Sequence, residues 1–273
     1  MSTGKFLNSW AQTVLADPIT KQLVTIDRFQ IENGVVDARV YLQNSSGFGD
    51  WEMGQKKYES WEQNADGYKP SDYKKEIDRD KATYKHFKLS GAILDIGGGV
   101  GTVREFLEDS SKFLSVDPFI NAPFLIPEPK RTTYRCLSEH LNFIAGMAEF
   151  LPITSASFDW VHMRSMLDHV QIPDLALIEA ARVLRPGGNL LIGMLVEGGK
   201  KGDPSGFESL KELVKHGLSA LGISRFRDYH TWHPTLKNLR ALISAHGFEI
   251  EEEYWQPGWN DNVVYIKAVK RIK

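Results

Sequence analysis

Apolar positions along this chain fall into short runs separated by glycine-rich turns and by longer amphipathic stretches. Ile93, Leu94 and Ile96 form one such run, as expected of a strand buried on both faces of a parallel sheet. Gly97, Gly98, Gly99 and Gly101 interrupt it. From Thr102 the stripe of Val103, Phe106 and Leu107, with Arg104, Glu105 and Glu108 outside it, predicts a helix. Further strands are predicted over 113–117, 142–145, 158–164 and 189–196, with helices over 72–88, 134–140 and 173–181. Pro118, Pro123, Pro127 and Pro129 mark an irregular segment between two of these strands. Near the end, Thr235 to His246 reads as an amphipathic helix stopped by Gly247. Two closing strands follow, 248–255 and 262–269, around a Pro-Gly turn that suits an antiparallel pair.

The periodicity also divides the chain. Residues 1–50 read as a small β-rich region, with strands over 23–29 and 35–42 joined through Glu32-Asn33-Gly34. Residues 51–90 are an aromatic linker and helix carrying Trp51, Tyr58, Trp61, Tyr68, Tyr73 and Tyr84. This stretch either closes over a ligand pocket as a lid or packs its rings on the sheet edge. Residues 91–273 are the main domain, with a helical insertion over 198–230. Its stripe of Phe207, Leu210, Leu213, Val214, Leu218 and Leu221 suits a cap on the substrate site, a homodimer face, a membrane-surface helix or packing on its own domain.

Composition narrows the function without naming it. The 273 residues are 42% hydrophobic and 25% charged, ordinary for a water-soluble protein, and a net charge of −2 gives no footprint for bulk nucleic-acid binding. The single cysteine, Cys136, rules out an internal disulfide and a cysteine-rich zinc site. No apolar run reaches membrane-spanning length and the start lacks a secretory pattern, so a cytoplasmic location is expected.

Strand, glycine turn and helix form the layout in which a backbone approaches a ligand closely. Two ligand classes compete for it. A dinucleotide loop wants Gly-x-Gly-x-x-Gly, but here Gly97, Gly99 and Gly101 alternate and Thr102 holds the sixth place. Asp117 ends the next strand sixteen positions beyond Gly101, where a carboxylate accepts ribose hydroxyls in either class.

The spacing Asp95-Ile-Gly-Gly-Gly-Val-Gly101 resembles the nucleotide loop of class I S-adenosylmethionine-dependent methyltransferases. The segments Gly146-Met-Ala-Glu-Phe-Leu-Pro152 and Arg182-Val-Leu-Arg-Pro-Gly-Gly188 are similar to two others of that family. The likeness covers roughly residues 80–270. It implies an α/β, Rossmann-like, doubly wound sheet of seven mostly parallel strands with an antiparallel final strand. It also implies S-adenosylmethionine as cofactor, held by Asp95, Gly97, Gly98, Gly99, Gly101, Asp117, Pro118, Phe119, Met147, Ala148, Glu149 and Arg164; for Arg164, pairing with an anionic substrate and an ion pair at the strand end are the alternatives. Met147 stands where the family places an aspartate for the adenine amino group. A methionine packs on an aromatic ring instead. Residues 16–37 loosely resemble a zinc-ribbon-like domain, with Asp17-Pro-Ile-Thr20 where that domain has its Cys-Pro-x-x-Cys knuckle, so any such domain has lost its zinc ligands.

The acceptor is expected to be a small molecule methylated on oxygen or nitrogen. Met163-Arg164-Ser165-Met166 replaces the Asn/Asp-Pro-Pro-aromatic stretch of methyltransferases that act on nucleic-acid bases. His169 and Asp168 follow the same strand, where related small-molecule enzymes often carry a His pair, and are the candidate base; a helix-start aspartate with a surface imidazole is the plainer alternative. His230 and His233 lack an acidic partner nearby in the sequence, and no metal is expected. His162 lies inside a strand and reads as a hydrogen-bonded interior residue. A catalytically silent cofactor-binding or activator subunit, and a nicotinamide-dependent oxidoreductase, are the competing functions.

Overall fold

The computed structural model describes residues 6–45, 47–63, 68–202, 229–259 and 261–272. The candidate insertion helix at 207–221 lies outside the described residues. At the centre is one mixed sheet with strand order β1-β2-β5-β4-β3-β6-β7-β9-β8. The seven strands the sequence predicts for the main domain are β3 (Ala92–Ile96), β4 (Lys112–Asp117), β5 (Phe143–Ala145), β6 (Phe158–Arg164), β7 (Leu184–Leu195), β8 (Phe248–Trp255) and β9 (Val263–Lys270). β5, β4, β3, β6 and β7 run parallel, and β9 inserts antiparallel between β7 and β8. Ile93, Leu94 and Ile96 are fully shielded, as a strand covered on both faces requires. The chain moves outward from β3 in one direction through β4 and β5, and in the other through β6 and β7. The reversal between β3 and β6 opens a crevice at the carboxyl ends of the strands, the usual ligand position in open α/β sheets.

The N-terminal region departs from its sequence reading. Residues 26–28 form a single 3-10 turn, so no strand runs over 23–29; the first strand is β1 (Gln30–Glu32) and the second, β2 (Val35–Asp37), stops short of residue 42. The β-branched residues at 24–26 suggest a strand, but Leu23 and Thr25 find no ladder partner beyond one bridge of Ala16 to Leu23. β1 and β2 form an antiparallel hairpin, and β2 pairs parallel with β5, so the hairpin widens the main sheet to nine strands among the described residues. Helix α1 (Ser9–Thr13) is capped by the Asn8 side chain, which accepts from Ala11 N. It buries Ala11 in the same core as Val36, Leu114 and Ile144.

α2 (Phe48–Gln63) and α3 (Pro70–Phe87) precede the central strand. Pro70 opens α3, the Asp72 carboxylate accepts from the Lys69 N–H at 3.1 Å, and Lys88 ends it in a left-handed conformation. The predicted helix after the glycine loop is only a 3-10 segment, Thr102–Phe106. Arg104 stops it: its guanidinium donates to the carbonyls of Gly101 and Val100 and across to His140. The helix expected over 134–140 is likewise a 3-10 turn, Arg135–Ser138, preceded by α4 (Glu128–Thr133). α5 (Pro173–Val183) and α6 (Leu236–Ala245) complete the helices among the described residues, none long and apolar enough to cross a membrane.

Cys136 is buried beside Arg104 and Glu105, and burial pushes its thiol up to about 12. A thiol held protonated and out of solvent is a poor nucleophile. An aromatic disulfide reagent is therefore expected to leave the folded protein untouched and to titrate one thiol per chain in denaturant. Rapid reaction of the native protein would contradict that placement.

Candidate active site

The crevice begins where β3 ends. Gly97 N–H donates to Val116 O at 2.8 Å, and Gly97, Gly99 and Gly101 all take positive φ, +69°, +52° and +74°. The four glycines serve different purposes. A Cβ at Gly97 would lie 2.5 Å from the Met166 side chain, one at Gly101 would lie 2.6 Å from the Phe113 ring, and one at Gly98 would strike the Asp95 carboxylate. These three are required by packing. A Cβ at Gly99 would meet nothing within 4 Å, so it is the one glycine of the loop whose missing side chain leaves open space.

Asp117 fixes this loop. Its Oδ2 accepts from Gly99 N–H at 2.9 Å and its Oδ1 from Phe119 N–H at 3.0 Å, while the residue is only 5% exposed. A carboxylate has about four acceptor sites and serves more than one donor at once. The expected ribose acceptor is thus also the strut that holds the glycine turn. Ser115 adds a second tie, donating to Gly99 O at 2.8 Å.

Two cavities meet at the loop. The larger, about 550 Å³, runs from Gly97, Asp117, Pro118 and Phe119 past Met147, Ala148 and Glu149 to Met166 and His169, and α2 closes it with Trp51, Gln55 and Tyr58. Its size suits an organic ligand of moderate bulk. The smaller, about 220 Å³, lies between the glycine loop and α3 and includes Tyr84, Asp95, His162 and Arg164. Asp117 and Phe119 border both.

Several predicted residues sit differently from the expectation. Asp95 turns inward, its Oδ1 2.7 Å from His162 Nδ1, and His162 Nε2 in turn lies 3.2 Å from the Tyr84 hydroxyl. His162 is the hydrogen-bonded interior residue the sequence suggests. Burial raises the Tyr84 phenol well above its ordinary range, so it stays protonated, and the trio braces α3 against the glycine strand. Arg164 pairs with Asp80 at 2.6 Å, and Gln256 donates to the same carboxylate at 2.7 Å, which joins α3, β6 and the end of β8. Arg164 borders only the smaller cavity.

Glu149 is buried at the wall of the larger cavity, where its Oε1 accepts from Gln171 N–H at 2.8 Å and from Ile172 N–H at 3.3 Å, just before α5 starts. Burial pushes its carboxyl upward, against the pull of those two donors. Met147 and Ala148 are buried beside it.

After β6, Ser165 adopts a left-handed φ of +47° and swings Met166 beneath the loop. The turn that follows presents Asp168 and His169. His169 Nε2 is 3.8 Å from Asp168 Oδ1, beyond hydrogen-bond range, and the Tyr58 ring meets the His169 ring edge-on at 4.5 Å. Trp51 Nε1 donates to His169 O at 2.8 Å, which pins α2 over the cavity. Trp51 and Tyr58 of the aromatic segment line the larger cavity. Asp168 Oδ2 lies 3.7 Å from His230 Nε2, an acidic partner present in space though remote along the chain. Gln55, also on α2, carried no signal in the sequence, which predicts a helix only from residue 72.

Comparison with known proteins agrees with this geometry. Residues 94–192 match the family described as "Methyltransferase domain". The chain is 34% identical over 109 residues to the ubiquinone/menaquinone biosynthesis C-methyltransferase UbiE of Hahella chejuensis, a match over 38% of this chain and 43% of that protein. A UbiE from Legionella pneumophila is 28% identical over 174 residues, 60% of this chain and 69% of that one. The chain therefore aligns with well under half the length of the Hahella relative. Among solved structures, the 1,6-didemethyltoxoflavin-N1-methyltransferase of Burkholderia thailandensis superposes with a TM-score of 0.55 at 17% identity, covering 86% of this chain and 95% of that one. Residues 94–192, which carry the glycine loop set on β3 and the acid at the end of β4, thus match a methyltransferase domain, within a sheet closed by an antiparallel β9.

Proposed function

We propose that the protein transfers the methyl group of S-adenosylmethionine to an oxygen or nitrogen atom of a small, ring-bearing acceptor. The observation that carries this reading is the larger cavity, continuous from the glycine loop and Asp117 to Tyr58 and His169. One end offers what a nucleoside needs: a carboxylate, backbone approach at Gly99 and the apolar walls of Phe119, Met147 and Ala148. The other end offers aromatic rings and an imidazole. Bound there, S-adenosylmethionine supplies a methyl already activated on a positively charged sulfur. Holding the acceptor in line then contributes most of the catalysis, up to about 7–11 kcal/mol for well-oriented reactants.

The chain's own residues do the rest. Trp51, Tyr58 and Met166 exclude water and orient the acceptor, and the cluster of Asp168, His169 and His230 handles the proton that an oxygen or nitrogen acceptor must lose. The name of the Hahella relative favours a second reading, transfer to a ring carbon of a quinone precursor, in which the same aromatic end would hold the ring.

Titration calorimetry with S-adenosylmethionine and with NAD(H) separates methyl transfer from hydride transfer. Binding of the first is expected; binding of NAD(H) alone would end this reading. A metabolite screen for a product heavier by one methylene tests catalysis, and cofactor binding with no product across that screen would favour a silent cofactor-binding subunit.

A further inference from the structure

We propose that Asp168, His169 and His230 form a binding site for a divalent transition-metal ion at the acceptor end of the cavity. The segment carrying His230 is stitched to the turn after β6 whatever the intervening insertion does. Thr231 N–H donates to Asp168 O at 2.8 Å, and its hydroxyl reaches Asp168 O at 3.0 Å and Val170 O at 2.5 Å. Residues 63 positions apart are thereby held side by side.

One carboxylate oxygen and one ring nitrogen from each histidine lie within 4.8 Å of one another. The separations, 3.8 Å from His169 Nε2 to Asp168 Oδ1 and 3.7 Å from His230 Nε2 to Asp168 Oδ2, are too long for hydrogen bonds. They are close to the spacing of about 3.3–3.5 Å that metal–ligand bonds of about 2.0–2.1 Å impose on tetrahedral donors. Small side-chain rotations close the difference. Asp168 Oδ1 is shielded from solvent and accepts no hydrogen bond among the described residues, an arrangement that is costly for a carboxylate and is relieved by a cation.

The donor set indicates the ion. Two imidazoles and one carboxylate suit zinc(II), iron(II) or cobalt(II), whereas magnesium and calcium prefer oxygen ligands alone. Three protein ligands leave coordination positions open, and His169 borders the cavity while His230 is 37% exposed on its side chain. An ion there would bind the acceptor's hydroxyl or amine and lower its pKa. The proton then leaves to water, the freed lone pair forms the new bond to the methyl carbon, and the carbon–sulfur bond breaks to release a neutral thioether. This role rests on the proposed methyl transfer; ion binding itself does not.

Cobalt(II) is the probe, added to the full chain after chelator treatment and read by visible absorption and equilibrium dialysis without a polyhistidine tag. About one equivalent is expected, with ligand-field bands of imidazole coordination. Asp168→Asn and His230→Ala should each weaken uptake by more than about 100-fold, above what loss of an outer-shell partner costs. His140→Ala, an exposed histidine elsewhere, should match the parent. Circular dichroism confirms that each variant is folded. Absence of stoichiometric uptake, or equal uptake by His230→Ala, overturns the site. Methyl transfer without cobalt uptake would remove this inference alone; cobalt uptake without S-adenosylmethionine binding would support it while ending the reading of the enzyme.

Discussion

Gly99→Val is expected to lose S-adenosylmethionine binding by more than about 100-fold in calorimetry while the protein remains folded. The argument is local. Gly99 has φ +52°, and a β-branched residue forced into that region costs about 1–2 kcal/mol. The loop relieves the strain by turning its N–H away from Asp117 Oδ2, which unmakes the cradle. What strain leaves, sterics remove, because the valine side chain enters the open space. Nothing in the core is displaced, so the melting temperature should move little. Gly101→Ala is the contrasting case. Its Cβ lands on the Phe113 ring, and overpacking of about 1–3 kcal/mol adds to the backbone strain, so stability rather than binding is lost first. Asp117→Ala should resemble Gly99→Val, since it deletes two hydrogen bonds from backbone to carboxylate, each worth about 1.5–3 kcal/mol. A Gly99→Val protein that binds the cofactor normally would dissociate the loop from the cofactor site.

His169→Ala should leave cofactor affinity within about twofold and lower kcat by about 10²–10⁴-fold, the usual worth of a positioned group that handles a proton. The substitution keeps the backbone carbonyl that receives Trp51 Nε1, so the lid retains its anchor. It removes the ring that Tyr58 contacts and one of the two histidines gathered around Asp168. Single-turnover kinetics with saturating cofactor isolates the chemical step from product release. An unchanged single-turnover rate would strip His169 of any part in the chemistry and leave the fold assignment intact. A carbon acceptor that deprotonates before binding is one way that result would arise, and it would favour the second reading of the acceptor.

The strands were legible because their signal is local and one-dimensional. Five residues such as Ala92–Ile96 with no polar stripe require a sheet covered on both faces, and glycines placed after them require a turn at the sheet's edge. The order of strands, the reversal beside β3 and the antiparallel closing pair follow from that alternation, aided by the likeness of three short segments to one family. The N-terminal strands were misplaced for the converse reason. A strand exists only where a neighbour offers its ladder, and β5 offers one to Val36 and Asp37 but none to residues 24–29.

Sequence alone pointed to a glycine turn with an acid at the next strand end, and to an aromatic segment ahead of the central strand. It did not distinguish the one glycine facing open space from three fixed by Met166, Asp95 and Phe113, because that depends on side chains from other strands. Nor did it bring His230 to Asp168. The Thr231 N–H and hydroxyl do that, both donating to Asp168 O across 63 positions, and no local pattern encodes a contact made by the closing of a fold. The glycine turn at the end of a buried strand was written in spacing; which residues meet one another was decided by packing.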